Sequence, residues 1–145
     1  MTLTTHAVVG AAVCVHPWAL PVALASHYAI DAIPHWDWDG RGLVGECDRE
    51  FWIAWGKLLL DLGLGFALAF LMFGWLGVAG AFAGCLPDAL QFLHRFTSYA
   101  SGALERHQVF HDRIHTEESL PQNTGIGSQI VVCGFFLAVR LLVGW

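Results

Sequence analysis

The sequence predicts an all-α, polytopic membrane protein, and three observations support this fold class. Hydrophobic residues make up 56% of the 145-residue chain, and its mean hydropathy is +0.55. Only 13% of the residues are charged, about half of the share in an ordinary soluble domain. Three stretches contain no Asp, Glu, Lys or Arg, and about 20 apolar residues suffice to cross a bilayer: residues 1–30, 62–86 and 119–139. We therefore expect one integral membrane domain, 1–145.

Prolines divide the first apolar stretch into two short helices. Pro17 and Pro21 bracket a break, which predicts helices over about 3–15 and 20–33. Pro34 then ends the second helix. Both helices are short for a full crossing, so we expect a re-entrant pair that packs against other helices.

Longer helices follow in the rest of the chain. A third helix is expected over about 50–73, a glycine-rich turn reverses the chain, and a fourth helix runs to about Ser98. A last span covers about 124–145, which gives about four to five membrane helices, the first two of them short. Residues 103–118 predict an amphipathic surface helix, because apolar residues and histidines share one face and charged residues the other.

Charge predicts the orientation in the membrane and excludes one class of partner. Counting the crossings places residues 34–49 and 99–123 on one side, together with six of the seven Lys and Arg residues. The positive-inside rule makes that side cytoplasmic. The net charge of −5 provides no basic surface, so nucleic acid is excluded as a partner, and membrane lipid is the expected one.

The strongest candidate for a functional site surrounds His27, Asp31 and His35. Their i, i+4, i+8 spacing keeps three ligand-type side chains on one helical face, subject to the bend that Pro34 introduces. Imidazole and carboxylate together suit zinc, manganese or iron. Burial of a His and an Asp in an apolar helix is costly without a strong partner, which favours a metal site over a helix end with satisfied polar groups.

Two further acids lie inside predicted membrane helices. Asp61 and Asp88 are about 15 Å along their helices from the same side of the membrane, a depth similar to that of His27. We expect both to reach the same site. The alternative for Asp61 is an i, i+4 salt bridge with Lys57, whose long side chain would extend outwards.

Histidines in other helices complete the candidate ligands. His107, His111 and His115 repeat the i, i+4, i+8 spacing on the inward face of the surface helix, and we expect His111 and His115 to close the site from above. His6, one turn inside the first helix, is expected to join them. The two remaining histidines are expected outside the site: His16 and His94.

Several short motifs, taken together, resemble the small bacterial membrane-bound metal-dependent hydrolase family. They are Thr5-His6-Ala7-Val8-Val9-Gly10, the run from His27 to Asp37, Leu86-Pro87-Asp88, and Phe110-His111-Asp112-Arg113-Ile114-His115 before Ser119-Leu120-Pro121. The resemblance implies a bacterial inner-membrane protein with a metal site whose ligands are His6, His27, Asp31, His35, Asp88, His111 and His115. The His-x-x-x-Asp element is also similar to one in zinc-dependent phospholipase C enzymes, where such ligands hold a metal cluster for phosphoester hydrolysis. Asp61 is added on its depth alone.

This ligand set exceeds the four donors of one tetrahedral zinc and suffices for two ions about 3.5–4 Å apart. We therefore predict a membrane-embedded metal-dependent hydrolase, a two-metal phosphoesterase that acts on a lipid or amphipathic substrate. Zinc is the expected metal, and Asp31 and Asp88 are the expected catalytic carboxylates, one of them bridging the ions.

Two other classes of function stay open at the level of the sequence. Intramembrane acids and histidines also build ion pathways, which would make the protein a metal-ion or proton binding or transport protein. The concentration of polar residues on one side favours the enzyme. Bis-histidine haem ligation is the second alternative, although no haem-attachment motif supports it. The oligomeric state is left open.

Overall fold

The computed structural model describes residues 1–37, 41–44, 46–96, 102–115 and 120–143. Every regular element within these ranges is helical, which confirms the all-α class. The elements, in chain order, are α1 (Leu3–Val13), a 3₁₀ turn (Pro17–Ala19), α2 (Leu20–Asp31), a second 3₁₀ turn (Arg41–Leu43), α3 (Arg49–Phe96), α4 (Gly102–Ile114) and α5 (Gln122–Val143).

Helix α3 consists of two arms, 49–73 and 75–96, that meet at Gly74. This glycine has φ +62° and ψ −150°, a backbone conformation that side-chain-bearing residues rarely adopt. The arms fold back on each other, since the ring of Trp55 in the first arm contacts the ring of Phe92 in the second at 5.6 Å. The predicted reversal of the chain at the glycine-rich turn is confirmed.

Helix α1 occupies the centre of the molecule and packs against α2, α3 and α5. Its residues 5–12 are all buried. Close approach to the second arm of α3 depends on small residues: a Cβ atom on Gly10 would lie 2.5 Å from the carbonyl oxygen of Gly80 and 3.1 Å from Cα of Gly84. The backbones of α1 and α3 are therefore in direct contact.

The ends of two helices differ from the predicted ends. Helix α2 ends at Asp31 and not at residue 33, because the residues before Pro34 turn out of the helical path. The single helical face predicted for His27, Asp31 and His35 therefore stops at Asp31, and His35 follows in the chain beyond the helix. Helix α4 ends at Ile114, and the predicted continuation to residue 118 lies outside the described residues beyond His115.

Two helices are long and apolar enough to cross a membrane by length and composition. They are Arg49–Arg95, with a mean hydropathy of 2.0, and Gln122–Val143, with 2.1. Their most apolar segments are only 17% and 6% buried inside the protein, so their apolar side chains face outwards. The predicted four to five membrane helices are thus shown only in part, since α1 and α2 have 11 and 12 residues.

Candidate metal centre

Five histidine and aspartate side chains converge where four helices meet. We call them the central cluster: His6 from α1, His27 and Asp31 from α2, Asp88 from the second arm of α3, and His111 from α4. Four of the five side chains are buried, and that of Asp88 is 25% exposed. Five of the eight predicted ligands therefore meet in space.

Four donor atoms of the central cluster surround a common point. The Nε2 atoms of His27 and His111 are 2.9 Å apart, and they lie 3.2 and 3.3 Å from Asp31 Oδ2. Their distances to Asp88 Oδ1 are 3.6 and 3.7 Å. A tetrahedral zinc site with bonds of about 2.0–2.1 Å separates neighbouring donors by about 3.3 Å. The spacing of these four atoms therefore fits such an ion.

The protonation of His27 directs a lone pair into this point. Its Nδ1 donates a hydrogen bond to the carbonyl oxygen of Gly84 at 2.8 Å, so Nε2 of the neutral ring carries no proton. A histidine that donates from its other ring nitrogen to a backbone carbonyl is the usual arrangement of a metal ligand. Among the described residues, Asp31 Oδ2 has no hydrogen-bond partner although it is buried. Unbalanced buried lone pairs are costly, and a cation would neutralise them.

His6 lies against the other oxygens of the same two carboxylates. Its Nε2 is 3.1 Å from Asp31 Oδ1 and 3.7 Å from Asp88 Oδ2, and its ring stacks on that of His27 with centroids 4.0 Å apart. Within the described part of the chain, neither ring nitrogen of His6 makes a hydrogen bond. His6 is therefore available as a fifth donor.

Gly84 fixes the position of two ligands at once. Its carbonyl oxygen orients His27, and its Cα lies so close to α1 that an added Cβ would be 2.5 Å from the carbonyl oxygen of His6. A residue with a side chain would have to push α1 away. The small residue thus holds α1, α2 and α3 at the distances that the cluster requires.

A second group of donors adjoins the central cluster. Asp31, His35 and His115 offer ligand atoms that all lie within 4.8 Å of one another. Asp37 Oδ2 lies 3.0 Å from His35 Nε2 and 3.2 Å from His115 Nε2. His35 Nδ1 donates to the carbonyl oxygen of Ile33 at 2.6 Å, which again leaves Nε2 as the lone pair in the neutral ring. We call His35, Asp37 and His115 the edge cluster.

Two groups of the edge cluster have shifted pKa values. Burial alone would raise the pKa of Asp37, but hydrogen bonds with His115 and His35 hold it well below its usual range. The same hydrogen bond to Asp37 raises the pKa of His115, while partial burial acts in the opposite direction. Asp37 is therefore ionised near neutral pH and available to a cation.

Asp61 does not lie in either cluster. Its carboxylate accepts hydrogen bonds from the backbone N–H groups of Leu3 and Thr4 at 2.8 and 3.1 Å, and from Thr4 Oγ1 at 2.6 Å. These are the unpaired donors at the first turn of α1, where a carboxylate also interacts favourably with the helix dipole. We therefore correct the expectation for Asp61, which caps α1 in place of facing the other candidate ligands.

The remaining histidines lie outside both clusters. His107 Nε2 lies 3.0 Å from the hydroxyl of Tyr28, the neighbour of His27, and this contact fastens α4 to α2. His16 stacks on Trp18 near the 3₁₀ turn after α1. His94 belongs to neither donor group found among the described residues.

Sequence reasoning missed two residues near the site. Asp37 belongs to the quoted motif but was not among the expected ligands; its position two residues after His35 was the available signal. Gln129 is a buried amide in apolar α5. Its Oε1 accepts hydrogen bonds from Thr2 and Thr5, and its Nε2 donates to the Trp36 carbonyl oxygen at 2.8 Å. Gln129 thereby ties α5 to the start of α1 and to the loop of the edge cluster.

Comparison of the chain with protein-family models, with curated proteins and with solved structures gives no match. The resemblance to membrane-bound metal-dependent hydrolases therefore stays a prediction that rests on the motifs. The geometry of the two clusters is independent of it.

Proposed function

We propose that this protein is a membrane-embedded, metal-dependent hydrolase, a phosphoesterase for a lipid or amphipathic substrate. The observation that carries the proposal is the arrangement of four donor atoms, from His27, Asp31, Asp88 and His111, at distances of 2.9–3.7 Å around one point. Zinc is the metal that this mixture of imidazole and carboxylate suits, and His6 is positioned to assist.

The charges of the cluster match a divalent cation. Asp31 and Asp88 together contribute two negative charges, and neutral imidazoles add none. A divalent ion held there would lower the pKa of a bound water towards neutrality and would polarise a phosphoryl oxygen. Asp88 is the partly exposed member, so substrate would approach from its side, while buried Asp31 holds the position of the histidines around it.

The outer surface of α4 supports an amphipathic, anionic substrate. A shallow cavity there is lined by two arginines beside exposed apolar side chains: Arg106, Arg113, Val109 and Phe110, together with Glu105. Guanidinium groups bind phosphate oxygens in a planar, bidentate manner. The same helix provides His111, so a phosphate-bearing headgroup bound at α4 would lie near the central cluster.

We place the protein in a membrane as a multi-pass protein, with the site on the cytoplasmic side. The outward-facing apolar side chains of α3 and α5 support a lipid environment. The excess of Lys and Arg in the connections before and after α3 supports the cytoplasmic side. By the motif resemblance, this membrane would be the inner membrane of a bacterium.

Hydrolysis by the purified protein tests the proposal. The protein in detergent would be stripped with a chelator, reloaded with zinc, and assayed on a generic phosphodiester and on phospholipid vesicles. We expect hydrolysis of at least one substrate that depends on zinc and is lost in Asp88→Asn. His16→Gln, which alters a histidine far from the cluster, is the control and should keep the activity. Zinc-loaded protein that hydrolyses neither substrate would contradict the proposal.

A zinc transporter is the second candidate, because buried acids and histidines between membrane helices also form ion pathways. The tight, four-donor arrangement favours retention of the ion over passage. Reconstituted protein in sealed vesicles with an internal zinc dye would decide between them. Zinc entry without any hydrolysis would support transport, whereas hydrolysis without zinc entry would support the enzyme.

A further inference from the structure

On the premise of the proposed metal-dependent function, we propose that the edge cluster and Asp31 form a second cation site. The donors are His35 Nε2, His115 Nε2, a carboxylate oxygen of Asp37 and a carboxylate oxygen of Asp31. Two imidazoles and two carboxylates suit zinc or manganese. We call this the edge site.

The donors of the edge site are directed at one another in the same way as those of the central cluster. Asp37 Oδ2 is 3.0 and 3.2 Å from the two Nε2 atoms, close to the spacing of about 3.3 Å between donors in a tetrahedral zinc site. The ring of His35 is fixed by its hydrogen bond to the Ile33 carbonyl oxygen, and its side chain is 1% exposed. Its lone pair is thus held in place before any ion binds.

Asp31 joins the edge site to the central cluster. Its Oδ2 atom faces His27 and His111 at 3.2 and 3.3 Å, whereas its Oδ1 atom faces the Met1 amino group at 2.9 Å. The two oxygens of one carboxylate therefore point to different sides. This is the arrangement by which a carboxylate bridges two ions about 3.5–4 Å apart.

The edge of the pocket already attracts positive charge. The amino nitrogen of Met1 lies 2.7 Å from His35 Nε2 and 3.0 Å from Asp37 Oδ1, in addition to its contact with Asp31. A cation is therefore complementary to these donors. The amino group is also the competitor that a metal ion would have to displace, which the experiment below takes into account.

Differences in burial predict that the two sites hold their ions unequally. The histidines of the central cluster are buried, whereas the side chains of Asp37 and His115 are 41% and 31% exposed. Water reaches the edge site more easily and can replace its donors. We therefore expect one retained ion and one ion that exchanges with the medium, so that the activity would depend on the free metal concentration.

Zinc binding to the purified, metal-free protein tests the edge site directly. Titration against a competing chelator should give two equivalents per chain for the wild type, one of which is removed by dialysis. Asp37→Asn keeps the shape of the side chain and removes its charge. We expect this variant to bind one equivalent at unchanged affinity and to bind the second about 100-fold more weakly or not at all.

Asp112→Asn is the matched control, because Asp112 is exposed on the outer face of α4 and bonds only to Gln108 among the contacts described for its side chain. It should bind two equivalents. Equal circular dichroism of the three proteins would show that Asp37→Asn folds. A wild type that binds one equivalent, or an Asp37→Asn variant that still binds two, would overturn the edge site and leave the central site standing. A wild type that binds no zinc would overturn the proposed function as well.

Discussion

His27 Nε2 and His111 Nε2 lie 2.9 Å apart in the buried centre of the protein, although 84 residues separate them in the chain. The proton of His27 is on Nδ1, where it is donated to Gly84, so the two nitrogens are not brought together by a hydrogen bond from His27. Two carboxylate oxygens lie within 3.7 Å of both nitrogens. The four atoms are arranged around a point between them, as ligands are around an ion.

Replacing either carboxylate of the central cluster should remove the metal. In Asp31→Asn or Asp88→Asn, a neutral amide replaces a charged donor, so the remaining ligands compensate only half of the charge of a divalent ion. We expect zinc affinity to fall by at least about 100-fold, with hydrolysis falling in parallel. Competitive zinc titration and the phosphodiester assay measure the two effects. Loss of hydrolysis at full zinc occupancy in both variants would contradict the ligand assignment.

Gly84→Ala should damage the centre without altering a ligand. The new Cβ would meet the His6 carbonyl oxygen at 2.5 Å, so α1 has to shift. We expect a loss of about 1–3 kcal/mol in the free energy of unfolding, together with weaker zinc binding. Thermal unfolding with and without zinc gives both quantities.

Gly63→Ala is the control for this substitution. Gly63 lies on the exposed side of the first arm of α3 and has no other group within 4 Å of an added Cβ among the described residues. An alanine there should be neutral or slightly stabilising, because alanine favours the helix over glycine. If both variants lost zinc equally, close packing at Gly84 would not be the cause.

Asp61→Ala should lower stability without changing the number of zinc ions bound. The variant leaves the N–H groups of Leu3 and Thr4 at the start of α1 without their acceptor, and loss of such a cap costs about 1–2 kcal/mol. We expect a lower melting temperature at unchanged zinc stoichiometry. A stoichiometry that drops by one would restore Asp61 as a ligand, as the sequence alone suggested.

Cysteine labelling tests the proposed topology. Cys47 is exposed in the loop before α3, and Trp75 is exposed beside the kink. In sealed inner-membrane vesicles of one orientation, a membrane-impermeant maleimide should label Cys47 and a cysteine introduced as Trp75→Cys from opposite sides. The experiment would use a Cys133→Ala background to remove a partly exposed thiol. Labelling of both positions from one side would contradict a membrane crossing by the first arm of α3.

Much of the fold could be predicted because strong helix breakers mark it. Pro17 and Gly74 allow few alternatives to a break, and the helices flanking them begin and end within about two residues of the expected positions. Apolar runs set the length of α5 in the same way. Contacts between helices could not be read from these local signals.

The site illustrates the difference between depth and direction. Depth along a helix placed Asp61 level with His27, but it does not say which neighbour the side chain faces, and Asp61 faces the start of α1. Helical spacing correctly grouped His27 with Asp31. It could not find Asp37, because the chain leaves the helix after Asp31 and no periodicity relates the two residues.

X-ray absorption at the zinc edge tests the central claim most directly, because it reports which atoms bind the metal. The measurement would use wild-type protein loaded with one equivalent of zinc. We predict a first shell of nitrogen and oxygen at about 2.0–2.1 Å, with the outer scattering of imidazole rings. A sulfur shell at about 2.3 Å would place the zinc on cysteines, and a spectrum of hydrated zinc without imidazole would show that the central cluster binds none; either result would contradict a His and Asp metal centre.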